Sequence, residues 1–225
     1  MVFFSKESLV ISRGLCLHLF EKVNLIKIQW KQLWLLWPLI GITLLNIDTD
    51  VKFNALKSST IILYVLVYCS TGFFEEILCR GFMLNLFLNK WGDTQRGIYG
   101  STLLSSVLFG SFHLICHHSD FLQDITQVII AFFIGMAFAA CYLRIKSILP
   151  VVILHALFDI GGSLNELSPI GHATANSSLP AALLSIGITS ILFTYSLFIL
   201  RKAKIERQLE YTSNISNSTL VASKK

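Results

Sequence analysis

The sequence predicts an all-α, polytopic membrane helix bundle of about six transmembrane helices, preceded by an N-terminal interfacial helix. Three observations carry this expectation. Of 225 residues, 54% are apolar and 14% are charged, against roughly 25% charged in ordinary soluble domains. Mean hydropathy is +0.67, which leaves too little polar surface for a soluble globule and too much apolar surface for a disordered chain. The apolar residues gather near 33–47, 60–88, 100–117, 125–143, 147–163 and 179–200, several of these stretches approaching the ~20 residues that cross a hydrocarbon core. The cations also sort by side. With a cytoplasmic N-terminus, 15 Lys and Arg fall inside, Lys52 and Lys57 fall outside, and Arg80 alone lies in the membrane, as the positive-inside rule requires.

Each segment has its own reason. Residues 1–32 form an expected amphipathic interfacial segment: Leu19, Val23, Ile26, Trp30 and Leu33 recur every three to four positions, with Lys27 and Lys31 elsewhere around the wheel. That pattern suits a helix lying in the headgroup layer, with a partner-binding helix as the rival. Trp30, Trp34 and Trp37 are amphipathic rings suited to headgroup depth. Residues 33–200 make the expected transmembrane domain. Its outer loops carry Asp48, Asp50, Asp120, Asp124 and Glu166. The tail 201–225 is basic and then rich in Ser and Asn, which predicts a disordered cytoplasmic segment near anionic lipid. Its sequons at Asn214 and Asn217 have no use on that side.

Composition also excludes function classes. The net charge of +5 is accounted for by the membrane sides, so no nucleic-acid partner is expected. Cys16, Cys69, Cys79, Cys116 and Cys141 sit singly, with no C-x-x-C, which predicts buried free thiols rather than a disulfide framework or a thiolate metal site. The first residues, MVFFSKESLVISRG, lack the order of a secretory signal, and VASKK is not a prenylation box. Insertion is expected to rely on internal segments.

The stretch TIILYVLVYCSTGFFEEILCRGFMLNLFL, 60–88, has Glu75, Glu76 and Arg80 as its only full charges. Each costs about 2.5–3.5 kcal/mol at the bilayer midplane on insertion scales, so three together demand compensation or a function. Helical spacing supplies part of it: Glu76 and Arg80 at i and i+4 are within pairing reach, while Glu75 is rotated by about 100°. As one straight helix this stretch spans roughly 43 Å at 1.5 Å per residue, so a tilt, or a break near Gly72 or Gly81, is expected. Phe109 precedes His113 by a helical turn in the next apolar stretch, and His155 and Asp159 again stand at i and i+4. A purely structural role, with a buried ion pair and packing histidines, is the competing interpretation of each group alone. Three segments directing ionisable groups into the apolar layer argue for one shared cavity, because separate lipid-facing exposures cost more.

These residues resemble the CAAX prenyl endopeptidase and bacteriocin-processing (CPBP, or Abi) intramembrane proteases. The family's Glu-Glu-x-x-x-Arg appears as Glu75, Glu76 and Arg80, its Phe-x-x-x-His as Phe109 and His113, and its His-x-x-x-Asn/Asp as His155 and Asp159, over a motif core of 60–165. The resemblance implies hydrolysis of a peptide bond in a membrane-associated substrate, either a CAAX-like lipidated protein or a bacteriocin-type peptide. It also implies catalytic roles for Glu75, Glu76, His113, His155 and Asp159, with Arg80 and Phe109 in support. Chemically, Glu75 is the candidate base that activates water, and donors must face the developing oxyanion. By resemblance, His113 helps position the water, while His155 and position 159 face the oxyanion. An ionised Asp159 repels an oxyanion, so it must be protonated, pair with His155 or bind a metal.

Cofactor dependence stays open at this stage. Glu75, His113 and His155, with Asp159 as a further donor, make a candidate zinc set, although H-E-x-x-H is absent. His113 and His117 form a second i, i+4 pair; His117 and His118 suit the outer end of the crossing, and His18 and His172 the surface. A non-enzymatic membrane binding or immunity protein, or a proton-coupled transporter, can use the same buried cluster. The short chain points by analogy to a bacterial-type cell membrane.

Overall fold

A computed structural model describes residues 28–47, 57–115, 120–167 and 178–203, and among them every regular element is helical. A 3₁₀ helix, Trp30–Leu36, runs into α1 (Trp37–Leu45). Helix α2 (Ser58–Glu76) continues through a π-helical segment, Ile77–Leu84, into α3 (Asn85–Trp91). Then come α4 (Gln95–Phe112), α5 (Phe121–Ile145), α6 (Leu149–Gly162), a 3₁₀ turn (Leu164–Leu167) and α7 (Leu179–Leu200). Most of the interfacial segment 1–32, nearly all of the tail, and His18, His117, His118 and His172 lie outside the described residues.

Local chemistry sets the helix starts. Side chains of Thr94, Asp120 and Ser178 accept from Gly97, Leu122 and Ala181 backbone N–H groups, satisfying donors that a first turn leaves free. Proline occupies the first turn of α1, α6 and α7, where its missing N–H costs nothing.

Three described helices are long and apolar enough to cross a membrane: Ser58–Trp91, Phe121–Ile145 and Leu179–Leu200. The other expected crossings are helical but shorter or more polar. Helix α6 has 14 residues, about 21 Å of rise, and α4 opens on Gln95 and Arg96. The outer surface is apolar, with Leu63, Leu66, Leu183, Leu184, Ile191 and Phe198 exposed, as expected where lipid is the solvent.

Cross-contacts make the segments alternate in direction. Tyr64 donates to Ile160 O at 2.6 Å while Glu76 meets His155, so α2 and α6 are antiparallel. Asn46 Nδ2 donates to Phe158 O, whereas Gln29 N donates to Ile145 O, so the two ends of the α1 segment lie at opposite ends of the bundle. Gln95 Nε2 donates to Leu200 O, which joins the start of α4 to the end of α7. Lys31, Lys90, Arg96, Arg144, Lys146, Arg201 and Lys202 consequently share one end with the exposed Trp30, Trp34 and Trp37. Lys57, Asp120, Asp124 and Glu166 lie at the other.

The core follows α5, which packs between α4 and α7. Its run from Met136 to Cys141 is at most 1% exposed, and Ile145, Ile148, Val151, Leu192 and Leu200 are fully buried around its lower half. Small Ala137, Ala139 and Ala140 allow that close approach.

The irregularity expected near Gly72 or Gly81 is the π-helical segment spanning Gly81. Leaving the i→i+4 ladder frees carbonyls, and neighbours take them. Ser105 Oγ donates to Cys79 O at 3.0 Å, and the Asn85 amide lies 3.1 Å from Arg80 O and 2.8 Å from Gly81 O.

Candidate active site

Gly72 lets α2 meet α6. A Cβ there would stand 3.0 Å from Ala156 N and 3.3 Å from Ala156 Cα, so any larger residue would push the helices apart. One turn onward, this approach brings Glu76 to His155. Glu76 Oε1 accepts from Arg80 Nη1 at 2.7 Å and from His155 Nδ1 at 2.8 Å. Glu76, Arg80 and His155 are 0%, 1% and 3% exposed, so each charge must be compensated within the protein.

Glu75 occupies the adjacent face. Its side chain is 32% exposed, with Oε2 3.6 Å from His155 Nε2. Asp159 Oδ2 lies 3.5 Å from the same nitrogen. One imidazole therefore has its Nδ1 bound to a buried carboxylate and its Nε2 turned toward two more accessible ones.

Aromatic rings hold Arg80 and His155 in place. Phe109 lies 4.4 Å from the Arg80 guanidinium carbon and meets His155 and His113 edge-on, with centroids 5.7 and 5.2 Å away. Phe138 flanks Arg80 at 5.5 Å and His155 at 5.3 Å. Gly135 O accepts from Arg80 Nη2 at 3.2 Å, and a Cβ on Gly135 would stand 3.0 Å from Phe109 Cδ1. Reasoning from the sequence missed Gly135 and Phe138, which carry no charge to mark them inside the apolar run of α5. Glu76 Oε2 and Arg80 Nε have no hydrogen-bond partner among the described residues.

The predicted residues are thus gathered unequally. Glu75, Glu76, Arg80, His155 and Asp159 form one cluster, and Phe109 packs on it. His113 ends α4 with Nδ1 3.1 Å from Phe109 O; it joins the cluster through the Phe109 ring rather than through a carboxylate. Among the described residues no three His, Cys, Asp or Glu side chains are arranged to hold a metal ion; of the candidate set, Glu75 and Asp159 face His155 Nε2, and His113 meets the Phe109 ring. His155 has only Nε2 left to offer a ligand, because Nδ1 is engaged.

Long apolar helices around a buried ionisable cluster make this an integral membrane protein with a polar centre built from α2, the π-helical segment and α6. Residues 57–161 match the family model described as type II CAAX prenyl endopeptidase Rce1-like. That stretch is similar to the Rce1-like CAAX-type endopeptidases and holds all seven motif residues. No curated protein and no solved structure matches the chain.

Proposed function

We propose that the chain is an intramembrane endopeptidase that hydrolyses a peptide bond of a membrane-associated substrate with water activated by Glu75. The observation carrying this reading is the division of labour around His155. The buried Glu76–Arg80 pair holds Nδ1, and Nε2 faces the accessible Glu75 and Asp159.

The chemistry balances with these groups. A water beside Glu75 gives it a proton as the water oxygen bonds to the scissile carbonyl carbon. An imidazolium His155, with Nδ1–H held by Glu76 and Nε2–H free, and a neutral Asp159 donate to the oxyanion. As the carbon–nitrogen bond breaks, Glu75 returns its proton to the leaving nitrogen, giving one carboxyl and one amine product. His113 orients the water or the peptide at the rim of the Phe109 ring. Phe138 and Gly135 keep Arg80, and with it Glu76, in register.

In this reading the six helical segments are all crossings and the basic end is cytoplasmic. The test is cleavage of a membrane-anchored peptide library in proteoliposomes by wild type and Glu75→Gln. Wild type should release products, and the variant should lose at least about a hundredfold in turnover, the lower range for a general base, while remaining folded. Undiminished cleavage by the variant removes Glu75 as the base. Glu75-dependent ion flux without products replaces the protease with a transporter.

A further inference from the structure

The geometry points to a one-sided site: water and the scissile segment reach Glu75 from the end that carries Tyr68 and Glu166, opposite the basic end. The substrate class is then a membrane-associated peptide presented on the extracytoplasmic face, rather than a lipidated cytoplasmic protein. This assignment deepens the proteolytic reading and rests on it.

Two opposite gradients carry the inference. From the site toward the Glu166 end, the facing sides of α2 and α6 are polar. Asp159 stands one turn beyond His155, and Ser163 one turn further, beside Tyr68. Tyr68 OH donates to Glu166 Oε2 at 2.7 Å, and its ring packs edge-on to Tyr64 at 4.8 Å. Tyr68, Asp159 and Ser163 are all partly exposed, and Glu166 is exposed. Hydroxyl and carboxylate groups continue from Glu75 to the surface, where each can exchange a hydrogen bond with water.

In the other direction the structure is closed. Below Arg80 come Leu84, Ile145, Ile148 and Val151, each 0% exposed, with Leu88 at 5%. These side chains belong to one continuous apolar cluster. Water crossing it would forfeit its hydrogen bonds, and a peptide would have to open the best-packed part of the bundle. Lys90, Arg144, Lys146, Arg201 and Lys202 lie beyond that seal, and Lys57 is the described Lys or Arg at the open end. Cation placement marks the sealed end as cytoplasmic, so hydrolysis faces outward.

Membrane vesicles of both orientations test this with the full chain. In a background whose five cysteines are replaced, single cysteines are introduced as Ser163→Cys, Glu75→Cys, Ile148→Cys and Lys202→Cys. Each is exposed to a membrane-impermeant sulfonated maleimide. Lys202→Cys should react from one face, Ser163→Cys and Glu75→Cys from the opposite face, and Ile148→Cys from neither. Labelling of Glu75→Cys from the Lys202→Cys face, or from neither face, overturns the route. In parallel, an acyl-anchored peptide library is offered to each face of wild-type vesicles. Cleavage on the Ser163→Cys face supports the substrate class, and cleavage confined to the other face overturns it. If no peptide is cleaved on either face while Glu75→Cys is labelled from the Ser163→Cys side, the water route stands and the proteolytic reading fails. Should the cysteine-free background not fold, the wild-type library experiment decides the sidedness alone.

Discussion

Glu76→Gln isolates the role of the buried carboxylate, because it removes one charge while keeping volume and an acceptor oxygen. Arg80, 1% exposed, is then left without the counter-charge that stands 2.7 Å away. Breaking a buried pair by neutralising one member typically costs about 3–5 kcal/mol. Two contacts of Arg80 survive the change, the Gly135 carbonyl at 3.2 Å and the Phe109 face at 4.4 Å, which places the expected loss near the bottom of that range. About 3 kcal/mol is two powers of ten in the folded-to-unfolded ratio, and at roughly 2–4 °C per kcal/mol for a chain of this size it lowers Tm by about 6–12 °C. Thermal unfolding of purified protein in detergent micelles measures it. Pairing Glu76→Leu with Arg80→Met should restore much of the loss, since apolar replacement of a whole buried pair is often neutral or better, yet that double variant should stay inactive because His155 has lost its Nδ1 acceptor. A Glu76→Gln protein melting within about 2 °C of wild type would refute the assignment of Glu76 and Arg80 as one charge-compensating unit.

Two further changes probe other sides of the cluster. Gly135→Ala puts a methyl group 3.0 Å from Phe109 Cδ1 and 3.4 Å from Arg80 Nη2, so a loss of about 1–3 kcal/mol with reduced turnover is expected in melting and cleavage assays; wild-type behaviour in both would show that α5 does not position the arginine. Asp159→Asn keeps a donor at position 159 at every pH, so activity should survive and persist to higher pH than in wild type if donation to the oxyanion is the role. An inactive amide variant in a pH–activity series would instead make Asp159 the carboxylate that orients His155.

The parts of the site that carry charge were legible in the sequence, and those that only shape it were not. Glu75, Glu76 and Arg80 stand out because ionised groups are costly in an apolar stretch, and the 100° step between neighbours anticipates one carboxylate turned inward and one left accessible. The i, i+4 spacing of His155 and Asp159 likewise anticipates a shared face. Gly135, Phe138 and Gly72 are ordinary members of apolar helices until the packing shows what they approach. The π-helical segment has no local signature either: its stability draws on Ser105 and Asn85, the former 26 residues from the carbonyl it binds. The tie from Tyr68 to Glu166 spans 98 positions and depends on the antiparallel pairing of α2 with α6, which periodicity alone does not specify. His113, for which the resemblance implies a water-positioning role, meets the cluster through the Phe109 ring at the end of α4.

Under the proposed function, the unequal burial of the two neighbouring glutamates lets one short motif serve both stability and reactivity. Glu76 and Arg80 cancel in charge, leaving Glu75, Asp159 and His155 to be balanced. His155 Nε2 can carry one proton, but carboxylate oxygens stand 3.6 and 3.5 Å from it on two residues. If that nitrogen is bare and both acids are ionised, two like charges crowd a lone pair in a medium that screens them weakly. A proton held among the three groups relieves that crowding. A hydrolytic site needs this same condition: one acidic group able to donate to an oxyanion while another remains basic toward water. The hydrogen bond from Nδ1 to Glu76 prevents the imidazole from turning away to relieve the crowding. The structural pair thereby maintains the reactive trio, and this is why neutralising Glu76 should impair chemistry as well as stability.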